Sequence, residues 1–195
     1  MASYKGVQGS LLALEEFFKR RLPEELSDEP TNAQIKLLGS ADISSKLKGN
    51  LLGIYLHRIA IDPHGRARFF SQQGTTENGR QPELPINLHF LLIANANSAT
   101  VEADLMSWGM LELANASQLD ISHLLDIDDE WGDQETLNIT PDEMSTEDLM
   151  RIWDVFESPY TCTVPYVART IRIRLNPQHT EGPAVVTRVF PGGSL

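Results

Sequence analysis

The segment that most constrains the fold is residues 144–175, where a capped helix, a proline and a long strand follow one another. Ser145 can cap the helix, and Asp148, three residues later, can complete a capping box. Because Pro159 lacks an N–H and disfavours helical backbone in the residue before it, we predict that the helix ends there. The apolar face of this helix is expected to contain Leu149, Ile152, Trp153 and Phe156.

The strand predicted after the proline has two unlike faces, because side chains alternate across a strand. Thr170, Arg172 and Arg174 are expected on its open face, where the arginines meet carboxylates of a neighbouring subunit or act as plain edge protection. Pro165 predicts that this part of the strand lies at a sheet edge. The buried face, under the helices, is expected to contain Val167, Ile171, Ile173 and Leu175.

Helices and strands do not alternate along the rest of the chain. Helices are predicted over residues 7–22 and 101–113, the second capped by Thr100. The turn Asp62-Pro63-His64-Gly65 predicts that the chain returns as a hairpin arm over 66–70, and Thr140-Pro141-Asp142-Glu143 predicts a first turn leading into the last helix. The further strands are expected at 34–38, 51–61 and 85–94.

This order predicts an α+β fold in a single domain, with an antiparallel or mixed sheet and helices packed mainly on one face. The domain is expected to span residues 1–175, and residues 176–195, which are rich in proline and glycine, are expected to form an extended C-terminal tail. Cys162 is the single cysteine, which excludes an internal disulfide and is interpreted as a small buried thiol.

The net charge of −11 is unevenly distributed. Residues 81–150 contain 15 Asp and Glu and no Lys or Arg, so this block carries −15 and the rest of the chain +4. The acidic balance argues against binding to duplex nucleic acid, which requires a basic surface. The acidic block is either a solvated loop or a face that meets the basic flanks of a neighbouring copy.

The sequence offers no catalytic apparatus. The run from Asp126 superficially resembles a calcium-binding loop, but Trp131 and Leu137 stand where such a loop needs glycine and glutamate. The histidines lack zinc-ligand spacing, and His57 and His89, in predicted strands, are interpreted as core-edge residues. There is no nucleophile elbow and no phosphate-binding glycine loop. We predict no catalytic, cofactor-binding or metal-binding residues.

Trp131 lies among acidic residues that include Asp128 and Asp129, with no apolar face nearby in the sequence. An aromatic residue in such a setting either anchors a partner or folds back onto its own domain. These three residues are therefore candidate interface residues, together with Arg172 and Arg174. No apolar run is long enough to span a bilayer and no signal-like segment begins the chain, so we expect a cytoplasmic protein without membrane insertion.

Four features together resemble the tail-terminator, or cap, family of phage-tail-like contractile injection systems, which includes anti-feeding prophages and Photorhabdus virulence cassettes. They are the N-terminal amphipathic helix, the strand PINLHFLLIA at 85–94, the acidic stretch ending in LNITPDEMS, and the block LMRIWDVFESPY followed by VPYVARTIRI. The resemblance covers most of residues 5–175, and its last block is the most specific part.

The resemblance implies a hexameric ring at the distal end of the inner tube and sheath, which stops polymerisation and holds the sheath extended. The implied partners are copies of the chain itself, the inner tube protein and the sheath protein, in a particle that is assembled in the cytoplasm and released. Strand addition at a sheet edge is the expected mode of binding to sheath arms. The rival interpretations are a baseplate or sheath adaptor of the same particle and a metal-dependent hydrolase that uses the acidic loop.

Overall fold

The structure is a computed structural model that describes residues 2–63, 83–116, 118–120 and 136–174. The predicted hairpin arm over 66–70, the acidic run over 126–135 and the C-terminal tail lie outside the described residues. Five helices are present in the described parts: α1 (Gly6–Arg21), α2 (Glu24–Ser27), α3 (Ser40–Ser44), α4 (Ala99–Asn115) and α5 (Thr146–Val155). Six strands accompany them: β1 (Gln34–Leu38), β2 (Leu51–Ile61), β3 (Glu83–Asn95), β4 (Gln118–Asp120), β5 (Thr136–Pro141) and β6 (Cys162–Arg174).

The six strands form one mixed sheet in the order β1-β2-β3-β6-β5-β4. The β1–β2 pair is parallel, and the other four pairs are antiparallel. The three long strands β2, β3 and β6 form its centre. This architecture confirms the predicted α+β class and the mixed sheet.

Strand β3 is buried on both of its faces. Leu88, Phe90 and Leu92 face a first core, against which α1 and α4 pack. Leu91 and Ile93, at the alternate positions, face a second core together with residues of α3 and α5. The two longest helices therefore share one face, as predicted, and the shorter α3 and α5 cover part of the other.

The capped helix of the sequence analysis is confirmed as α5. Ser145 is its N-cap, and the Ser145 hydroxyl accepts the Asp148 backbone N–H at 3.1 Å and donates to the Asp148 carboxylate at 2.7 Å. The helix ends at Val155, and Glu157 then adopts a left-handed φ of 51° just before Pro159. Trp153, only 3% exposed, lies in the second core with Leu149.

The helix start predicted at Thr140-Pro141-Asp142-Glu143 was wrong. Thr140 and Pro141 end β5 instead, opposite Val167 and Tyr166 of β6. Pairing with a long neighbouring strand outweighed a local capping signal, which is weak by itself. A smaller shift occurs at α4, whose N-cap is Ser98 rather than Thr100.

A β-bulge changes which side chains of β6 share a face. Ala168 pairs with Leu88 but Ile171 pairs with Ile86, so β6 has one residue more than β3 between these pairs. Because an extra residue reverses the alternation, Val167 lies opposite His89 and not on the face of Ile171. The prediction that Val167 shares the buried face of Ile171 and Ile173 was wrong for this reason, and Leu175 lies outside the described residues.

Pro165 lies just beyond the point where the pairing of β5 with β6 ends. As a strand, β6 is interior, with β3 on one side and β5 on the other. The β5 ladder reaches Tyr166, however, and Pro165 is paired with Leu91 of β3 alone among the described strands. On the β5 side, the Pro165 carbonyl accepts the Asp142 N–H at 3.0 Å. The predicted edge is thus a local one at the start of β6, and the strand as a whole is not an edge strand.

We expect Trp153→Ala to lower the free energy of unfolding by about 3–5 kcal/mol, because it removes a large aromatic side chain from the second core. Val155→Ala is the matched control, since Val155 on the same helix is 78% exposed and should change stability by about 0.5 kcal/mol or less. Urea denaturation of both variants measures the difference. Equal, small effects would show that the Trp153 side chain is not part of the core.

Candidate assembly surfaces

Strand β1 forms one edge of the sheet, and β4 forms the other. In β1, Gln34 and Lys36 are exposed, Ile35 between them is buried, and Leu38 is buried at the end of the strand. The Gln34 N–H donates to the Asn50 carbonyl at 3.0 Å, towards β2. On the other side of β1 the described residues contain no further strand. An exposed lysine on an edge strand discourages non-specific strand pairing. The backbone groups of that edge nevertheless remain available to an added strand.

Helix α5 and the segment after it expose three large apolar side chains. Val155 is 78% exposed and Tyr160 is 50% exposed, and Met150 also faces solvent. The Tyr160 ring meets the buried Trp153 ring edge-on, with centroids 6.1 Å apart. Apolar groups with a charged surround are typical of partner surfaces. The exposed acidic residues of this region are Glu143, Glu147, Asp148, Asp154 and Glu157.

The outer face of α4 is unusually poor in charge. Leu111 is 63% exposed and Met110 is 40% exposed. The other exposed positions of α4 contain uncharged residues and a single charged one, and they are Ala99, Thr100, Ala103, Asp104, Ser107, Ala114 and Asn115. A helix face of this composition is a second candidate for contact with another protein.

Of the five predicted interface residues, the structure describes two. Arg172 and Arg174 lie two positions apart in β6, opposite Pro85 and Glu83. Arg172 is partly buried, and its carbonyl accepts the Ala2 N–H at 3.3 Å, so the N-terminal segment runs beside this end of β6. The other three, Trp131, Asp128 and Asp129, lie outside the described residues.

A polar cluster around the buried His89, on the second face of the sheet, was missed by the sequence analysis. His89 is 7% exposed, and its Nδ1 lies 2.6 Å from Asp142 Oδ2. Arg58 Nη2 lies 3.0 Å from His89 Nε2, and the His57 ring centroid is 6.2 Å from that of His89. No spacing in the sequence points to this cluster, because His89 and Asp142 are brought together only by the pairing of β3, β6 and β5.

The electrostatics of this cluster disfavour charge on His57. The pKa of His57 is lowered from 6.5 to about 4, chiefly by burial and then by the charges of His89 and Arg58, with Asp142 acting in the opposite direction. The core-edge interpretation of both histidines agrees with their burial. Within the described residues, no group of His, Cys, Asp and Glu is arranged to hold a metal ion.

Cys162 is partly buried, and burial raises the pKa of its thiol, with a smaller contribution from the Glu102 carboxylate. A raised pKa keeps the sulfur protonated and poorly nucleophilic, in line with its interpretation as a structural residue.

A nearby cavity of about 190 Å³ is lined by residues that include Lys46, Glu102 and Tyr160. Its volume is below that of ordinary ligand pockets, which hold about 300–1,000 Å³.

Two solved structures resemble the whole of this fold. One is the sheath/tube terminator of an extracellular contractile injection system, PVC, in the extended state, with a TM-score of 0.57 and 16% sequence identity over 97% of this chain. The other is the tube-terminating cap of the anti-feeding prophage, with a TM-score of 0.54 and 14% identity over 92% of this chain. This chain spans 65% and 60% of the lengths of those two proteins.

Comparison with curated protein sequences gives no match. Among the described helices, none combines the length and apolar character needed to cross a membrane. The family described as the Pvc16 N-terminal domain matches residues 12–187, which is most of the chain. The chain therefore belongs to the Pvc16 N-terminal domain family.

Proposed function

We propose that this chain is a structural cap that ends the tube and sheath of a contractile injection system. The observation that carries the proposal is the family match over residues 12–187, together with a fold like that of a sheath/tube terminator over 97% of the chain. The second similar structure is also a tube-terminating cap. A cap acts by binding, so the surfaces that bind the last subunits of the polymer are its functional site.

The covered sheet restricts where those subunits can bind. Helices α1 and α4 pack on one face of β3, and α3 and α5 pack on the other. Where helices cover the sheet, a partner can bind only at a strand edge or on the outer side of a helix. The described residues provide these features in β1, in α4 and in α5. We propose that the ring consists of six copies, with inner tube and sheath as the other partners.

For the sheath, we propose strand addition along β1. An arm in extended conformation can pair with the outer backbone groups of β1, because β2 occupies only the inner side. Pairing of this kind depends on main-chain hydrogen bonds and therefore tolerates sequence change in the arm. The sequence identity between this chain and a similar structure is low, 16% in one case. A contact made through main-chain hydrogen bonds is compatible with sequence differences of this size.

We expect particles made without this chain to have tubes and sheaths of uncontrolled length, or sheaths found only in the contracted state, because nothing stops addition at the distal end. Electron microscopy of particles from a deletion strain, with a complemented strain as the control, measures both. Particles of normal length with extended sheaths would refute the cap. Gold labelling at the end opposite to the distal tip would instead indicate a baseplate adaptor.

A photo-crosslinking amino acid in place of Lys36 should form a covalent adduct with the sheath protein in assembled particles, because the arm would lie beside β1. The matched control is the same amino acid in place of Glu24, which is also exposed but lies on α2. Mass spectrometry identifies the partner. Equal yields at the two positions, or an adduct at position 36 with tube protein alone, would contradict strand addition at β1.

For the ring, we propose that the Arg172 and Arg174 end of β6 meets carboxylates of a neighbouring copy. Arg172→Glu with Arg174→Glu should then block ring formation, because like charges would face each other across the contact. Lys19→Glu with Arg20→Glu, on the exposed side of α1, makes the same change in net charge and is the control. Light scattering and electron microscopy report assembly, and circular dichroism reports folding. If the folded β6 variant forms normal rings, Arg172 and Arg174 take no part in the contact and act only as surface charges.

A further inference from the structure

Two helix ends in this chain have charges of the sign that the helix dipole disfavours. Lys5 is the N-cap of α1, and the first turn of that helix contains no acidic residue. Asp154 lies in the last turn of α5 and Glu157 just beyond it, and that turn contains no basic residue. A cation is unfavourable at the positive end of a helix and an anion at the negative end. The stability of the single chain therefore does not explain either choice.

The end of α5 has two further features that are unfavourable in an isolated chain. Glu157 has a φ of 51°, in the left-handed region where the residue after a helix is usually glycine. Val155 is 78% exposed, and Tyr160, shortly after the helix, is 50% exposed. Backbone strain of this kind is concentrated at functional sites, and tyrosine is enriched at interfaces between proteins.

The start of α1 has the complementary character. Tyr4 is 79% exposed, and Lys5 next to it is exposed as well. Within the described residues the Lys5 ammonium has no ion-pair partner, and neither have the carboxylates of Asp154 and Glu157. One surface thus presents an aromatic ring with a cation, and the other presents apolar groups with two anions. Such a match of charge around apolar groups is typical of the two sides of an interface.

The two surfaces lie near opposite ends of β6. Ala2 pairs with Ile173 near the end of this strand, so Tyr4 lies close to that end. Tyr160 comes shortly before Cys162, at which the strand starts. The strand between Cys162 and Ile173 spans about 35 Å, because each residue adds about 3.3 Å. This separation is far beyond the reach of a side chain, so the two surfaces can meet only between copies.

We propose that the start of α1 in one copy of the chain docks on the end of α5 in the next copy. Lys5 then lies between the carboxylates of Asp154 and Glu157, and the Tyr4 ring covers apolar groups beside them. Each disfavoured charge gains the partner that its own helix lacks, since Lys5 faces the negative end of α5 and the carboxylates face the positive end of α1. The inference rests on the proposed ring and names a contact that would build it.

The proposed contact has the form that a ring requires. It joins two different surfaces of the chain, and contacts of this kind close into a ring when the rotation between copies allows it. It also lies beside the end of β6 that is proposed above to meet a neighbouring copy, because the Ala2 N–H donates to the Arg172 carbonyl at 3.3 Å. The two contacts can therefore form together on the same side of one copy.

Charge reversal tests this contact, because it should act in opposite directions on the single chain and on the ring. Lys5→Glu and Glu157→Lys each give a helix end the charge that its dipole favours, so the midpoint of thermal unfolding should stay or rise. Each should nevertheless lower the number of copies per particle about tenfold, because like charges would then oppose each other in the contact. The two changes together should restore the copies. Lys19→Glu, with the same charge change elsewhere on α1, is the control and should keep them.

A cross-link identifies the protein that lies on the end of α5. Tyr4→Cys with Val155→Cys, treated with a short bismaleimide in assembled particles, should give a ladder of covalent multimers on a denaturing gel, because the two positions are too far apart to react within one copy. Tyr4→Cys with Leu111→Cys, on the exposed side of α4, is the matched control and should give no ladder. Both variants also contain Cys162→Ser, which removes the single native thiol.

Quantitative mass spectrometry of purified particles counts the copies and identifies the adducts. Normal copy numbers in both single charge variants, or no ladder from particles that contain the chain, would overturn the proposal. An adduct of position 155 with tube or sheath protein would assign the end of α5 to that partner, and so would a loss of copies that the combined variant does not restore; both would overturn it. Failure of the cap function differs from these outcomes, because it appears as particles of normal length in the deletion strain.

Discussion

The burial of β3 on both faces is the constraint on which the rest of the structure depends. From Leu88 to Ala94 every apolar residue of this strand is at most 1% exposed. A strand of this kind needs cover on both sides, because each fully exposed Leu or Ile would cost about 1.5–3 kcal/mol. Helices α1 and α4 provide one cover and α3 and α5 the other. Gly109 lets α4 approach closely, since a Cβ there would lie 2.9 Å from Leu52 Cδ2.

His89 interrupts this apolar strand and needs polar partners. It is the one buried polar residue among the described residues of β3, and an unpaired imidazole in that position would be costly. Asp142 and Arg58 supply the partners, and they come from a connection and from the neighbouring strand. The same contact that satisfies His89 therefore fixes the path of the chain into α5. Packing and polar pairing determine the position of that helix together.

The helices that cover both faces of β3 also determine which surfaces remain available for contact with other proteins. The sheet cannot present a broad face to a partner where helices pack on it, so the surfaces left accessible there are strand edges, such as that of β1, and the outer sides of α4 and α5. The exposed apolar residues of these helices, such as Leu111 and Val155, lie on the surfaces that remain accessible.

The sequence by itself determined the elements whose signals are local. The period of the apolar residues, the Ser145 cap and Pro159 define α5, and apolar runs with turn residues between them define the long strands; the resemblance in the 144–175 block pointed to the family. Long-range pairing decided the rest. It placed Thr140 and Pro141 in β5 against a helix-start signal, and a bulge moved Val167 to the face opposite Ile171. It also brought His57, Arg58, His89 and Asp142 together across gaps of up to 53 residues. Such contacts depend on strand order and register, which a single sequence does not encode in any local pattern.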